Sequence, residues 1–402
     1  MIMLKIGIIR EGKTPPDKRV PFSPEQAAAL LENFNALVQV QPSPVRGFSD
    51  EEYSARGLVL KEDLGDMDIL FGVKEVKIKD LIPAKTYLFF SHTIKKQPYN
   101  RDLMKAMIEK KITLIDYECL RDARHDRIIG FGYYAGLVGA YNGIRAYGLR
   151  NGTFSLKPAH ECFDKAEMFA ELHRISLPPV KIIITGTGRV GKGAFEIMKQ
   201  AGFTQVDRHT FETGSGERMY HVMNYDEFYT HPTRPGAFEK AHFYTHSHEY
   251  VSVFTPMTRV ADIFISCHYW DGKSAPLFTR EDMRDPRWTM DVIADVTCDI
   301  EGSVPTTIRP STIADPLYGI DKTEFRETAA FEKNSITVMA VDNLPCELPR
   351  DASAFFGKEL TEKVLPLFIQ DNEARTLERA TILKNGELTE PYEYLRDYAY
   401  GN

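Results

Sequence analysis

Val180-Lys181-Ile182-Ile183-Ile184-Thr185-Gly186-Thr187-Gly188-Arg189-Val190-Gly191-Lys192-Gly193 decides how this 402-residue chain is read. An apolar, β-branched run enters a glycine turn, and Ala194 to Gly202 leaves it with the composition of a helix. Gly186 permits the tight turn, Gly188 lets backbone approach a pyrophosphate, and Gly191 lets helix pack on strand. Free N–H groups and the dipole at the helix N-terminus then favour phosphate. A G-x-G-x-x-G alone is an ordinary glycine turn; with a strand before it and a helix after, it points to a dinucleotide, NAD or NADP.

Working outward, the length exceeds one typical core and predicts two domains. Composition is that of an ordinary globular protein, with 27% charged and 43% hydrophobic residues. The net charge of −7, with both signs interspersed, gives no electrostatic footprint for nucleic acid and no polybasic patch for a membrane. Five scattered cysteines (Cys119, Cys162, Cys267, Cys298, Cys346) form no C-x-x-C, so neither a disulfide framework nor a structural zinc site is expected. No run approaches a membrane span, and the start of the chain leads into the strand-like Leu4–Ile9 without a signal-peptide pattern. These features predict a cytoplasmic protein with reduced thiols.

Before the glycine turn, strand-like and helix-like segments alternate. Lys5–Ile9, Ala36–Val40, Asp68–Gly72, Thr86–Phe90 and Ile112–Ile115 read as strands. Pro24–Leu31, opened by Ser23, reads as a helix, as do Asp50–Ala55 and Leu103–Glu109 with Asp102 as its cap. Gly132–Arg150, rich in small residues, predicts a closely packed helix linking two domains, and Glu161–His173 another. Ala261–Ser266, Met290–Val296 and Ile336–Val341 continue the second half as buried strands, and Ser353–Phe368 with Asn372–Leu383 as a returning helix pair. The expected architecture is α/β, with two doubly wound Rossmann-like domains and a cleft between them. Residues 1–135 with 345–402 make a discontinuous catalytic and substrate domain, and 136–344 the dinucleotide-binding domain.

Ligands of open α/β sheets collect beyond the carboxyl ends of the strands. In the first half those ends carry Arg10, Lys74, His92 and Glu118. Arginine grips a carboxylate through a two-pronged fork. Lysine and histidine are proton-transfer groups once burial and neighbours bring the lysine pKa down, and a carboxylate tunes either. Beside a nicotinamide the set suits oxidation of an amine to an imine and its hydrolysis. Each residue singly also reads as a solvated strand-end charge or a histidine bonded to a carbonyl; together they point to a site. His242, His246 and His248 invite a metal, but without a matched carboxylate pattern they read as surface or packing groups, and no metal is expected. Lys77, Lys79, Lys85 and Lys96 read as a solvated rim.

Asp17-Lys18-Arg19-Val20-Pro21-Phe22-Ser23-Pro24 resembles the arginine-containing N-terminal motif shared by alanine dehydrogenases and lysine-forming saccharopine dehydrogenases. Gly72-Val73-Lys74 and Phe90-Ser91-His92-Thr93-Ile94-Lys95 are similar to the lysine and histidine motifs of that superfamily. Asp116-Tyr117-Glu118, Phe131-Gly132-Tyr133-Tyr134-Ala135-Gly136 and Val341–Pro345 running into Leu348–Ala352 resemble the saccharopine branch, in particular the lysine–2-oxoglutarate reductase half of the bifunctional lysine-degrading enzyme. The resemblance covers residues 4–368. It implies that Lys74 and His92 are the acid–base pair and that Glu118 tunes them. It implies also that Arg19, Lys95 and Arg127, with Phe131, hold the substrate. Gly188, Arg189 and Val190 match the phosphate turn, while Tyr269 and Val341, Asp342, Asn343 and Leu344 match segments lining the dinucleotide.

The implied reaction interconverts saccharopine with L-lysine and 2-oxoglutarate, using NAD or NADP. Asp207 stands about where an acid would accept the ribose hydroxyls, but Arg208 follows it, so the choice of cofactor stays open. Thr210–Glu239 matches poorly and reads as an insertion. The alternatives are an alanine dehydrogenase-like enzyme and a non-catalytic dinucleotide-binding protein. Oligomeric state stays open, a homo-oligomer included.

Overall fold

In the computed structural model, which describes residues 3–233, 236, 238–369 and 375–401, Ile182, Ile183 and Ile184 are fully buried and form the middle of a central strand. Two compact units divide the chain, Met1–Phe131 with Pro349–Asn402, and Gly132–Leu348. Each is built on its own eight-stranded sheet.

The first unit opens with β1 (Leu4–Ile8), α1 (Pro24–Phe34), β2 (Ala36–Val40), α2 (Asp50–Ala55), β3 (Val59–Leu60), β4 (Ile69–Phe71), β5 (Thr86–Phe89), α3 (Arg101–Glu109) and β6 (Thr113–Asp116). Ser23 caps α1 in a reciprocal box: its hydroxyl accepts the Gln26 N–H at 3.3 Å, and the Gln26 side chain accepts the Ser23 N–H at 3.0 Å. The chain starts α3 one residue before Asp102, with Asn100 at the cap position, so Asp102 sits in the first turn where its charge suits the helix dipole.

The second unit begins with α4 (Gly132–Asn151), α5 (Lys165–Arg174), β7 (Lys181–Thr185), α6 (Arg189–Gln200), β8 (Thr204–Gln205) and β9 (Met219–Met223). A small antiparallel pair, β10 (Tyr229–Thr230) and β11 (Val251–Ser252), precedes β12 (Ile263–Ser266), β13 (Val292–Asp295), β14 (Leu317–Asp321), β15 (Glu327–Thr328) and β16 (Ser335–Met339). Back in the first unit, β17 (Thr381–Lys384) and β18 (Glu387–Leu388) close the chain.

The first sheet runs β18-β17-β6-β5-β4-β1-β2-β3 and the second β15-β14-β16-β13-β12-β7-β9-β8. In each, six strands are parallel, and the antiparallel pair lies at one edge. The strand order reverses between β1 and β4 in one sheet and between β7 and β12 in the other; such switch points open a crevice for ligands.

Three expectations are corrected. Residues 381–383 do not continue a helix: a short helix, Thr376–Ala380, gives way to β17, whose apolar Ile382 and Leu383 cover the free edge of β6. Residues 372–374 of that expected helix lie outside the described residues. The stretch 210–239 is not merely an insertion, because it contains β9, the strand paired with β7. Finally, α4 is no linker alone. A Cβ on its Gly136 would meet the Val190 carbonyl at 1.8 Å, and one on Gly193 of α6 the Tyr133 carbonyl at 1.9 Å, so α4 and α6 touch backbone to backbone. Among the described residues no helix is long and apolar enough to cross a membrane, and all five cysteines are free thiols.

Candidate functional site

At the first switch point the strand ends are tied together by buried carboxylates. Glu11, just beyond β1, accepts the N–H of Val73 at 2.7 Å and of Lys74 at 2.8 Å, which lie just beyond β4. Burial, with Asp17 nearby, pushes the Glu11 carboxyl up to about 8. Asp116 does the same between β6 and β5, accepting the N–H of Ser91 at 2.9 Å and of Glu118 at 2.7 Å. Burial raises its pKa as well. These two ties determine where Lys74, His92 and Glu118 stand.

Lys74 is largely buried. That burial, with Arg19 and Lys13 close by, brings its pKa down to about 8, against the pull of Glu75 and Asp17. His92 adopts a left-handed backbone with φ of 53°, a conformation that costs energy for any residue with a Cβ. Its Nδ1 meets Glu75 Oε1 at 2.6 Å, and its ring stacks on Phe90. Burial would raise the Glu75 pKa, but the hydrogen bond and charge of His92 win and hold it near 2. Glu75 is therefore ionised and keeps Nδ1 occupied, leaving Nε2 of His92 for chemistry.

Cations and aromatics surround this pair. Arg19 is buried and forked onto Asp17 through Nε–Oδ1 at 3.0 Å and Nη2–Oδ2 at 2.6 Å. Its guanidinium lies 4.3 Å from the centroid of the Phe131 ring, which stacks on Phe356 at 4.4 Å. Glu118 takes Arg127 at 2.8 Å and Lys95 at 3.6 Å. Burial opposes ionisation of Glu118, but Lys95, Arg127 and His92 outweigh it and its pKa falls. One oxygen of Glu118 and one of Glu75 are buried without a hydrogen-bond partner, as acceptors awaiting a donor would be. Arg10 is not part of the set: it pairs with Glu62 at the surface. Glu11, Glu75 and Asp116 received no role from the sequence, although each adjoins the end of an apolar run.

The second switch point is made of backbone. Gly186 turns the chain with φ of 90°, and a Cβ there would meet the Cys267 carbonyl, beyond β12, at 2.8 Å. A Cβ on Gly191 would meet the Gly186 carbonyl at 2.2 Å, so only glycine lets α6 start so close to β7. Gly188 caps α6 with open space where its Cβ would be. A cavity of about 580 Å³ faces the turn, lined by Gly188, Arg189, Val190, Asn224, His268 and Tyr269 among others. His268 is buried and bridges Thr185 at 2.7 Å and Ser303 at 2.8 Å; burial holds its pKa near 4, so it is a neutral tie between β7 and β12. The open face at Gly188, the helix N-terminus and the cavity together fit a dinucleotide pyrophosphate.

Two expected groups stand at the ends of other strands. Asp207 follows the edge strand β8 and caps Arg208–Thr213, its carboxylate accepting the Thr210 N–H at 2.8 Å. The strand beside β7 is β9, and the residue that follows it is Asn224, an amide. Val341, Asp342, Asn343 and Leu344 follow β16, outside the residues lining the cavity; Val341 and Leu344 are buried. His242 and His246 stack with ring centroids 4.5 Å apart, and His242 Nδ1 meets the Tyr250 hydroxyl at 3.2 Å. Among the described residues no group of three or more His, Cys, Asp or Glu is placed to hold a metal.

Known proteins place this geometry. Residues 7–138 match the family described as "Alanine dehydrogenase/PNT, N-terminal domain", and residues 163–391 that described as "Alanine dehydrogenase/PNT, C-terminal domain". The alpha-aminoadipic semialdehyde synthase of Arabidopsis thaliana is 28% identical across 97% of this chain and 41% of its own length. The mitochondrial counterpart of Rattus norvegicus is 27% identical across 97% and 47%. The chain thus spans less than half the length of these relatives. A saccharopine dehydrogenase (NAD(+), L-lysine-forming) of Yarrowia lipolytica is 24% identical across 94% of this chain and 98% of its own. Among solved structures, an L-alanine dehydrogenase superposes with a TM-score of 0.65 at 19% identity, over 98% of this chain and 100% of the other, a likeness of fold. On the strength of the two family matches, the chain belongs to the alanine dehydrogenase/PNT family.

Proposed function

We propose that the protein is an NAD(P)-dependent amino-acid dehydrogenase that interconverts saccharopine with L-lysine and 2-oxoglutarate. The observation that carries this reading is the pairing of Lys74 and His92 at the ends of adjacent strands, each beside its own carboxylate, with Arg19, Lys95 and Arg127 around them. A substrate with several carboxylates needs cations, and an amine-to-imine reaction needs two bases. The names of the relatives point the same way.

The residues would divide the work by their environments. Gly186, Gly188, Arg189, Val190 and Gly191 would hold the pyrophosphate of the dinucleotide, whose nicotinamide would supply a hydride acceptor in the oxidative direction. Lys74, titrating near 8, takes the proton from the substrate ammonium, so that the nitrogen lone pair drives hydride loss from the glutamyl carbon. Nε2 of His92 then accepts a proton from water as its oxygen bonds to the imine carbon, and passes that proton to solvent. Lys74 returns its proton to nitrogen. The C–N bond breaks as His92 takes the hydroxyl proton, leaving L-lysine and the 2-oxoglutarate carbonyl. Glu75 stabilises the imidazolium at each stage, and positioning with electrostatics supplies the remaining acceleration. The reaction handles small molecules and calls for neither nucleic acid nor membrane; the reduced cysteines suit a cytoplasmic setting.

The test is to follow loss of reduced dinucleotide by absorbance with purified protein, L-lysine and 2-oxoglutarate. Consumption that needs both substrates is the expected result. Silence there, with turnover of pyruvate and ammonia, overturns the saccharopine reading in favour of an alanine dehydrogenase.

A further inference from the structure

The two sheets repeat one strand order, so a cavity on one has a counterpart on the other. β4, β1 and β2 occupy in the first sheet the places that β12, β7 and β9 occupy in the second. The glycine-turn cavity is lined by residues that follow β7, β9 and β12. Beyond the carboxyl ends of β1, β2 and β4 lies another cavity, of about 380 Å³, lined by Arg10, Lys13, Gln41, Lys77 and Lys79 among others. Arg19, Lys74, His92, Lys95 and Arg127 do not line it. Open α/β sheets take ligands at this place.

The loops that wall it hold one another. The Arg10 N–H donates to Gln41 Oε1 at 3.1 Å, and Gln41 Nε2 donates to the Glu62 carbonyl at 3.0 Å. Arg46 Nη1 donates to the Gln41 carbonyl at 2.8 Å. The Lys77 stem crosses Gly12, where a Cβ would meet its Cγ at 3.1 Å. The cavity is thus formed without a ligand to shape it.

Its donors differ in kind from those of the second sheet. There α6 starts at Arg189, directly beyond the glycine turn; here α1 does not start until Pro24, and no G-x-G-x-x-G follows β1. Side-chain cations stand in the place of backbone N–H groups, Arg10 and Lys13 after β1, Lys77 and Lys79 after β4. Arg10 is paired with Glu62, and Lys13 lies 4.0 Å from Glu75. Lys77 and Lys79 make no ion pair among the described residues, in a chain whose net charge is −7. The lining acids are Glu11 and Asp80. Both oxygens of Glu11 are already engaged by the Val73 and Lys74 N–H groups, and its pKa near 8 leaves it mostly uncharged at neutral pH. An excess of positive charge held on two loops is relieved by an anion that reaches both. At about 380 Å³, against about 580 Å³ at the glycine turn, the space suits something smaller than a dinucleotide.

We infer that this cavity is a second ligand site of the first unit, binding a small polyanion with two or more phosphate or carboxylate groups through Lys77 and Lys79. Its occupant shares Glu11 with the tie that holds Lys74.

The experiment is titration calorimetry of the full chain with pyrophosphate and with citrate at fixed ionic strength, and with acetate as the single-charge control. Lys77 and Lys79 are exposed, so a Lys77→Ala/Lys79→Ala double variant should keep the wild-type melting temperature. One or both polyanions should bind, at least about tenfold more tightly than acetate, and which of them does so tells phosphate from carboxylate. The double variant should weaken that binding by about 10- to 100-fold. Arg189→Ala, at the glycine turn, and Lys95→Ala/Arg127→Ala, at the proposed substrate site, should each leave it within about twofold. Binding of neither polyanion below about 1 mM overturns the inference. So does a loss that appears in Arg189→Ala or Lys95→Ala/Arg127→Ala and not in the Lys77/Lys79 variant, or one equal in all three.

Discussion

At the switch point of the first sheet the strand ends present charge, and at that of the second they present bare backbone. Glu11 and Asp116 tie the first set of strands through ionisable carboxyls, and Lys74, His92 and Glu118 hang from those ties. In the second sheet the ties are the neutral His268 and the close approach of Gly186 to Cys267. A charged site tolerates small changes of volume but not of proton affinity, because each group holds its neighbours' pKa values. A backbone site tolerates changes of charge nearby but not one extra methyl group. The proposed substrate site should therefore fail through chemistry and pH, and the proposed dinucleotide site through shape.

The sharpest way to break this contrast is to remove the proton-transfer groups. Lys74→Met and His92→Gln should each lower turnover by about 10²–10⁴-fold while dinucleotide affinity is kept. Steady-state kinetics beside dinucleotide binding checks both halves. Wild-type turnover in either variant would take that residue out of the proposed mechanism.

The carboxyl tie makes a different prediction, read in stability. Glu11 binds its proton more tightly folded, near 8, than unfolded, near 4.5. Between those values the folded state carries the extra proton, so stability falls as pH rises, by up to about 1.4 kcal/mol per pH unit. Glu11→Gln keeps the shape and removes the titration. Urea melts at pH 5 and pH 8 should show the wild type losing on the order of a few kcal/mol more than the variant. Parallel losses would show that Glu11 titrates at an ordinary value.

Local patterns in the sequence were legible because they act locally. The glycine turn, the Ser23 cap and the apolar runs of β1, β5, β7 and β12 lie within a few residues of what they determine. Lys74 and His92 were legible for the same reason, as polar residues at the ends of such runs. Glu11, Asp116 and His268 were not, since their partners lie 62, 25 and 83 residues away. β9 was hidden by His221, buried in its middle with Nδ1 on the Val206 carbonyl at 2.9 Å and Nε2 on Glu227 at 3.1 Å; a polar residue so satisfied breaks the apolar pattern but not the strand. The displacement of Asp207 followed, because β8 and a short helix intervene before β9.

Two glycines in one turn sharpen the comparison at smaller scale. Gly191→Ala puts a methyl group 2.2 Å from the Gly186 carbonyl and should cost about 1–3 kcal/mol of stability, with dinucleotide affinity falling as the turn opens. Gly188→Ala meets nothing within 4 Å and should leave the melting temperature unchanged, yet weaken the dinucleotide by covering the face a pyrophosphate approaches. Thermal melts and binding, measured on both, separate packing from recognition. Equal destabilisation by the two would mean that the turn is not built as a backbone cradle.

The smallest effect expected is at Arg10, and it tests whether charge at a strand end matters in itself. Arg10 follows β1 as Lys74 follows β4, but its partner is Glu62, 63% exposed, and its own side chain is 37% exposed. Water and salt screen such a pair, whose worth is about 0–1 kcal/mol. Arg19, by contrast, is buried against Asp17, where loss of one partner strands the other charge. Arg10→Ala should therefore leave turnover within about twofold and shift stability by less than about 1 kcal/mol, a shift that vanishes in high salt. A large loss of turnover in Arg10→Ala would show that the first site reaches past Glu11 to the rim of the sheet, and that burial is not what separates its working charges from the rest.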